Sequence, residues 1–422
     1  MIKFSKKKLK NGLTVIVHSD VATPMAAVNL LYKVGSKNEN PDRTGFAHLF
    51  EHLMFGGSQN LPEFDTPIQL AAGENNAFTN NDFTNYYIAL PKENIETALW
   101  AESDRMRNLT LNQKSLDVQK KVVIEEFSQR YLNQPYGDMW MLLRSLCYKT
   151  HPYQWATIGK EISHIEKATL GDVKAFYDRY YTPSNAILSI GANMTEETMF
   201  ELAEKWFDDI EALPTHDDNI PQECEQTEAR LLEVERDVPV TVVYMAFPMQ
   251  GRDSLEFSIC DVMTDVLSNG TSSRLYQRLV KESTMLTSVN AYVSGDFDSG
   301  LLILSAKLLD ETTPQMAIDA LWKEIDELKT EMVSDYELQK VKNKFEATTL
   351  FSQINVLDKA MNLGFYEFLS DADMYNNEKS VHSSITADQI METAKKLMRP
   401  ERSNTLIYKA RKNQNDSNDE TR

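Results

Sequence analysis

DVQKKVVIEEF, residues 117–127, returns in altered form as ELQKVKNKFEA, residues 337–347. The first copy sits in a long helical stretch, SLDVQKKVVIEEFSQRYL. Around the two copies the same order of elements recurs. AAVNLLYKV reads as a strand in the position of VTVVYMAF, and a helix follows each, TGFAHLFEHLMF and SLEFSICDVMTDVLS. FTNYYIAL followed by ENIETALWAESDRM is echoed by GLLILSAKL followed by MAIDALWKEIDELK. Any single echo is weak, because α/β segments look alike. Several in the same order predict a duplicated domain. Two like domains point to a cleft between them, where ligand sites tend to lie.

The expected boundaries follow from composition. Residues 1–212 make an N-terminal domain and residues 231–410 its C-terminal counterpart. Residues 213–230, within EALPTHDDNIPQECEQTEAR, are polar, carry two prolines and read as a linker. Residues 411–422 read as a disordered tail. A chain of 422 residues is too long for one ordinary core. Hydrophobic residues at 42% and charged residues at 25% are ordinary for a globular protein. The net charge of −19 argues against nucleic acid and against anionic membranes as partners.

No stretch approaches the length of a membrane span. The N-terminus, MIKFSKKKLKNGLTVIVHSD, is basic but lacks an apolar leader region, and LTVIVH reads as a first strand. Cys147, Cys224 and Cys260 are scattered and form no CxxC pair or disulfide framework. A reducing compartment, the cytoplasm, is expected.

AHLFEHLMFGGS, residues 47–58, puts two of the seven histidines and an acid into an apolar helical run. Buried polar groups are costly unless something pairs with them. His48 and His52 stand four apart, so both imidazoles leave one helix face a turn apart and can reach one metal ion. Glu51 sits beside that face, which suits a base acting on metal-activated water better than a third ligand. Gly56 and Gly57 then end the helix. The spacing is that of the H-x-x-E-H motif. A third protein ligand is still needed, and KKVVIEEF offers two acids, Glu125 and Glu126, beside the apolar face of Val122–Ile124 and Phe127. A solvated surface pair is the ordinary reading of two adjacent acids. The histidine pair makes one of them a candidate ligand. In the second half the position of the histidines is filled by CDVMT, so one copy alone can carry chemistry.

With these residues the chain resembles the M16 metallopeptidases, the family of pitrilysin, insulin-degrading enzyme and the mitochondrial processing peptidase. The resemblance extends to NNAFTNNDFTNYY (75–87), HPYQWATIG (151–159) and YYTPSNAILSIGAN (180–193). It implies an α+β fold of two homologous α/β domains, each a mostly antiparallel sheet with helices packed on it, enclosing a cleft. It implies one Zn2+ per chain on His48, His52 and Glu126, with Glu51 as catalytic base in peptide hydrolysis. It also implies that the peptide substrate adds as a strand near Asn76, Ala77, Phe78 and Thr79, where the plain reading of NNAFT is a polar turn.

Two departures stand out. The family's arginine and tyrosine, seven apart after an SSRL-type segment, fall here on Val280 and Thr287. A glutamate seven residues before the distal ligand is replaced by Gln119. Paired members of the family divide the work, one chain holding zinc and the other supplying the arginine and tyrosine. The expectation is therefore a heterodimer whose partner is homologous and lacks HxxEH. An alignment slip, or an unusual substitute such as Arg278 or Tyr292, is the competing account. Rival functions are a non-catalytic scaffold subunit and a zinc-dependent peptide-binding module.

Overall fold

The computed structural model describes residues 1–214 and 218–411. The expected tail beyond Arg411, and residues 215–217 of the expected linker, lie outside the described residues.

Strands β1 (Ser5–Lys8), β2 (Thr14–Ser19), β3 (Met25–Tyr32), β4 (Glu74–Thr79), β5 (Thr84–Pro91) and β6 (Ala186–Ala192) form one sheet, ordered β1-β2-β6-β3-β5-β4. Strands β7 (Arg230–Arg236), β8 (Val242–Met249), β9 (Leu286–Val293), β10 (Gly300–Leu308) and β11 (Asn404–Ala410) form a second, ordered β7-β11-β8-β10-β9. Matching β2 to β7, β6 to β11, β3 to β8, β5 to β10 and β4 to β9 makes the two orders identical, with β1 as an addition. The directions agree as well. β2 with β6 and β7 with β11 are parallel, and every other neighbouring pair is antiparallel. The duplication is thus carried strand by strand.

The first half contributes helices α1 (Phe46–Leu53), α2 (Asp65–Leu70), α3 (Ile95–Asn108), α4 (Gln113–Phe127), α5 (Met139–Cys147), α6 (Ile162–Glu166), α7 (Leu170–Tyr180) and α8 (Glu196–Phe207). The second contributes α9 (Leu255–Ser268), α10 (Pro314–Thr330), α11 (Asp335–Ser352), α12 (Val356–Leu369), α13 (Met374–Ser384) and α14 (Ala387–Leu397). Among the described residues no helix is long and apolar enough to cross a membrane.

The chain forms two compact units, and these are not its two sequence halves. One comprises Met1–Ser128, Thr150–Gln222 and Lys344–Ser380; the other comprises Gln129–Lys149, Glu223–Asn343 and the chain from Val381 onward. In the first unit α12, from the second half, packs on β3 and β6. Small residues let it approach: a Cβ on Gly191 of β6 would lie 2.8 Å from Val356 Cγ2, and one on Gly364 of α12 would lie 2.9 Å from Ser189 Oγ. Lys359 Nζ meets Asp20 Oδ2 at 2.6 Å, with both side chains about nine-tenths buried. In the second unit α5, from the first half, packs on β7, β8 and β11. There Tyr148 Oη donates to the Ser299 carbonyl at 2.7 Å. The second core is built from Val243, Met245 and Phe247 of β8, Leu302 and Leu304 of β10, and the inner faces of α9 and α10.

Candidate metal centre

α1 begins at Gly45, whose φ of 91° is the left-handed region open to glycine. A Cβ there would lie 2.7 Å from the Ile158 carbonyl oxygen, so the 151–159 segment moulds the start of this helix. Glu39 caps it from six residues upstream. Its carboxylate accepts from the Gly45 and Ala47 amides at 2.9 and 2.8 Å, and from the Trp155 indole at 3.2 Å. Burial pushes the Glu39 carboxyl up to about 8, against the opposing pull of those donors. On its inner face α1 buries Phe46, Ala47, Leu49, Phe50 and Leu53. Phe50 stacks on Phe176 of α7 and on Tyr181, each with ring centroids 5.0 Å apart. The apolar neighbours of the histidines are therefore the anchor of the helix.

His48 and His52 project from the remaining face, with rings 4.8 Å apart and nearly perpendicular. Glu126 comes to them from the last turn of α4, whose own anchors are the buried Leu116, Val123 and Phe127. Glu126 Oε2 lies 3.7 Å from His48 Nε2 and 3.3 Å from His52 Nε2. Ligand atoms of all three residues fall within 4.8 Å of one another, and Glu51 is not of that group. Glu125 is exposed. Of the two adjacent acids, Glu126 is the one whose carboxylate lies beside the histidines.

The three residues fit a zinc ion. Tetrahedral bonds of about 2.0–2.2 Å place ligand atoms roughly 3.3–3.6 Å apart, close to the two separations from Glu126. The electrostatics agree. His52 lies in the last turn of α1, where the helix dipole is negative and a cation is favoured. Side-chain exposures of 13% for His48, 24% for His52 and 18% for Glu126 leave the group shielded yet reachable.

The NNAFT segment is a strand, β4, at the edge of its sheet. Ala77 and Thr79 share one face; Asn76 and Phe78 share the other. Thr79 Oγ1 donates to Glu51 Oε2 at 2.6 Å, which brings one predicted substrate residue onto the predicted base. Asn76 is exposed, and its Oδ1 accepts from the Ala77 amide at 2.8 Å. Phe78 meets the Phe83 ring edge-on with centroids 5.7 Å apart. The contact of Thr79 with Glu51 escapes sequence reading, because it joins residues 28 positions apart.

Known proteins add their own findings. Residues 14–159 match the family profile described as insulinase (peptidase family M16), and residues 167–345 match the one described as peptidase M16 inactive domain. The zinc protease PqqE of Helicobacter pylori is 28% identical over 96% of this chain and 93% of its own. The mitochondrial-processing peptidase subunit beta of Saccharomyces cerevisiae is 24% identical over 82% of this chain and 78% of its own. A solved protease from Helicobacter pylori superposes with a TM-score of 0.92 at 26% identity, over 97% of this chain and all of that one. Pitrilysin superposes with a TM-score of 0.78 at 16% identity, over 97% of this chain and 45% of pitrilysin, a likeness of fold.

Proposed function

This chain belongs to the M16 peptidase family, and from that premise we propose that it is a zinc-dependent endopeptidase acting on short or unfolded polypeptides. The observation that carries this reading is the convergence of His48, His52 and Glu126, with Glu51 beside them and the open edge of β4 opposite. Held there, zinc supplies the Lewis acidity that makes water a nucleophile near neutral pH. His48 and His52 present Nε2 atoms and Glu126 presents a carboxylate oxygen. Glu51 takes a proton from the attacking water and returns it to the leaving amine. The edge of β4, unpaired among the described residues, supports a substrate that adds as a strand through main-chain hydrogen bonds, with Asn76 to Phe78 alongside it.

The same reading makes this chain the zinc-bearing subunit of a heterodimer. Val280 has no side-chain donor, and Thr287 Oγ1 is directed to the Lys307 carbonyl at 3.3 Å. Of the competing substitutes, Arg278 is already paired. Arg278 is held by Glu324 and Glu327 at 2.7 and 2.6 Å, and Tyr292 lies against Trp140 with ring centroids 6.3 Å apart. The three free thiols support a cytoplasmic setting.

The deciding experiment is peptide hydrolysis with metal analysis, on this chain alone and mixed with its nearest homologue of the same fold. Bound zinc and turnover that rises at least about tenfold in the mixture are expected, the loss of a substrate-positioning pair being worth that much or more. Full turnover by the chain alone, unchanged on mixing, would remove the heterodimer. Glu51→Gln separates enzyme from binding module or scaffold. It should cut kcat by roughly 10²–10⁴-fold while zinc and peptide stay bound.

A further inference from the structure

We infer that Thr79 is a positioning residue that holds Glu51 off the metal, so that the three-ligand site stays open for water and peptide. This rests on the zinc reading above. Glu51 stands three residues after His48 and one before His52, on the edge of the same helix face. A carboxylate is itself a zinc ligand type, and a zinc site with four protein ligands is closed and structural rather than catalytic. Something must turn it away. The Thr79 hydroxyl does so, donating to Oε2 at 2.6 Å.

Two features make Thr79 a firm hold. Its β-branched side chain has few χ1 choices, so the hydroxyl is aimed before Glu51 arrives. Its backbone is the last of β4, opposite Thr84, and the turn that follows is bolted down. The Ser36 amide donates to the Asn80 carbonyl at 3.1 Å and the Lys37 amide to the Asn81 carbonyl at 2.9 Å. Asp82, 3% exposed, meets Lys37 Nζ at 2.9 Å and accepts from the Tyr153 hydroxyl. Gly35 permits that approach, since a Cβ on it would lie 2.5 Å from the Asn81 backbone. Thr84 Oγ1 donates to the Val34 carbonyl at 2.9 Å. The outer part of β4 is an edge open to a substrate strand, while its last residue is fixed.

The test uses the full chain, stripped and reloaded with cobalt(II), as wild type, Thr79→Val and Thr79→Ser. Valine keeps the shape and removes the donor; serine keeps the donor. In Thr79→Val the Glu51 carboxylate should enter the coordination sphere. The visible cobalt bands should change and cobalt should bind on the order of tenfold tighter. Adding Glu51→Gln to Thr79→Val should restore the wild-type bands, and Thr79→Ser, which keeps the donor but not the branch, should lie nearer wild type than Thr79→Val. Unchanged bands and affinity in Thr79→Val, or a Thr79→Ser variant as altered as Thr79→Val, would overturn the inference. In whichever assembly turns over peptide, Thr79→Val should lower kcat roughly 10–100-fold with KM unchanged within about twofold. A raised KM at unchanged kcat would make Thr79 a substrate contact instead. If cobalt responds as described but no assembly cleaves peptide, the hold on Glu51 stands and the peptidase reading fails.

Discussion

Arg105 shows how much of the candidate site rests on one residue outside it. Its side chain is 1% exposed and pairs with Glu102, itself fully buried, through Nε at 2.8 Å. The guanidinium carbon lies 4.3 Å from the ring centres of Phe64 and Tyr86 and 5.4 Å from that of Phe55. Phe55 lies two residues past the end of α1, and Tyr86 stands opposite Ala77 of β4, so one charge packs under both walls of the site. Removing it strands a buried carboxylate. Arg105→Met should destabilise the first unit by about 3–5 kcal/mol in urea unfolding, and adding Glu102→Gln should recover part of the loss. At this scale His48, Glu51 and His52 were legible, because a helix turns a spacing of three and four into one face. The choice of Glu126 over Glu125 was not legible from the residues alone. The resemblance proposed it, and the facing of α4 supports it.

Elements were legible where burial imposes a period. β3 and β6, covered on both faces, announce themselves as apolar runs. β4 does not. ENNAFT is two-thirds polar and lies at an edge, so nothing in its composition distinguishes it from a turn. The SSRL segment is another case where neighbours decide. Arg274 lies in it and pairs with Glu337 of α11, Nε to Oε1 at 2.6 Å and Nη2 to Oε2 at 2.9 Å. The Arg274 guanidinium holds the Glu337 carboxyl down at about 2, from an ordinary 4.5. A depressed acid stabilises the fold above its unfolded value and loses that contribution as the pH falls. The Glu337 contribution should therefore be complete above about pH 4.5 and vanish toward about pH 2. Glu337→Gln should flatten the unfolding midpoint between those limits. An acid limb as steep as wild type would show that the pair does not stabilise the fold.

At the scale of the molecule, the duplication and the units divide the chain differently. The first sheet is covered in part by α12, which carries Val356 and Ala360 onto Ala27 of β3. A fragment of residues 1–230 would retain every strand of that sheet but not this helix. It should expose apolar surface, bind a hydrophobic dye and be digested by protease far faster than the whole chain. Supplying a segment spanning α11 and α12 in trans should restore protection. A fragment as resistant as the full chain would show that α12 is dispensable to the first unit.

The sequence by itself determined that the fold is duplicated, that one copy bears the histidines, and that their helix is anchored by its apolar neighbours. Those features are local, set by the periods of helix and strand. Only the tertiary structure decided that Glu126 faces the histidines, that NNAFT is an edge strand, that Thr79 reaches Glu51, and that α5 and α12 pack outside their own halves. Each of these joins positions far apart along the chain, where no local period connects them and packing alone selects the partner.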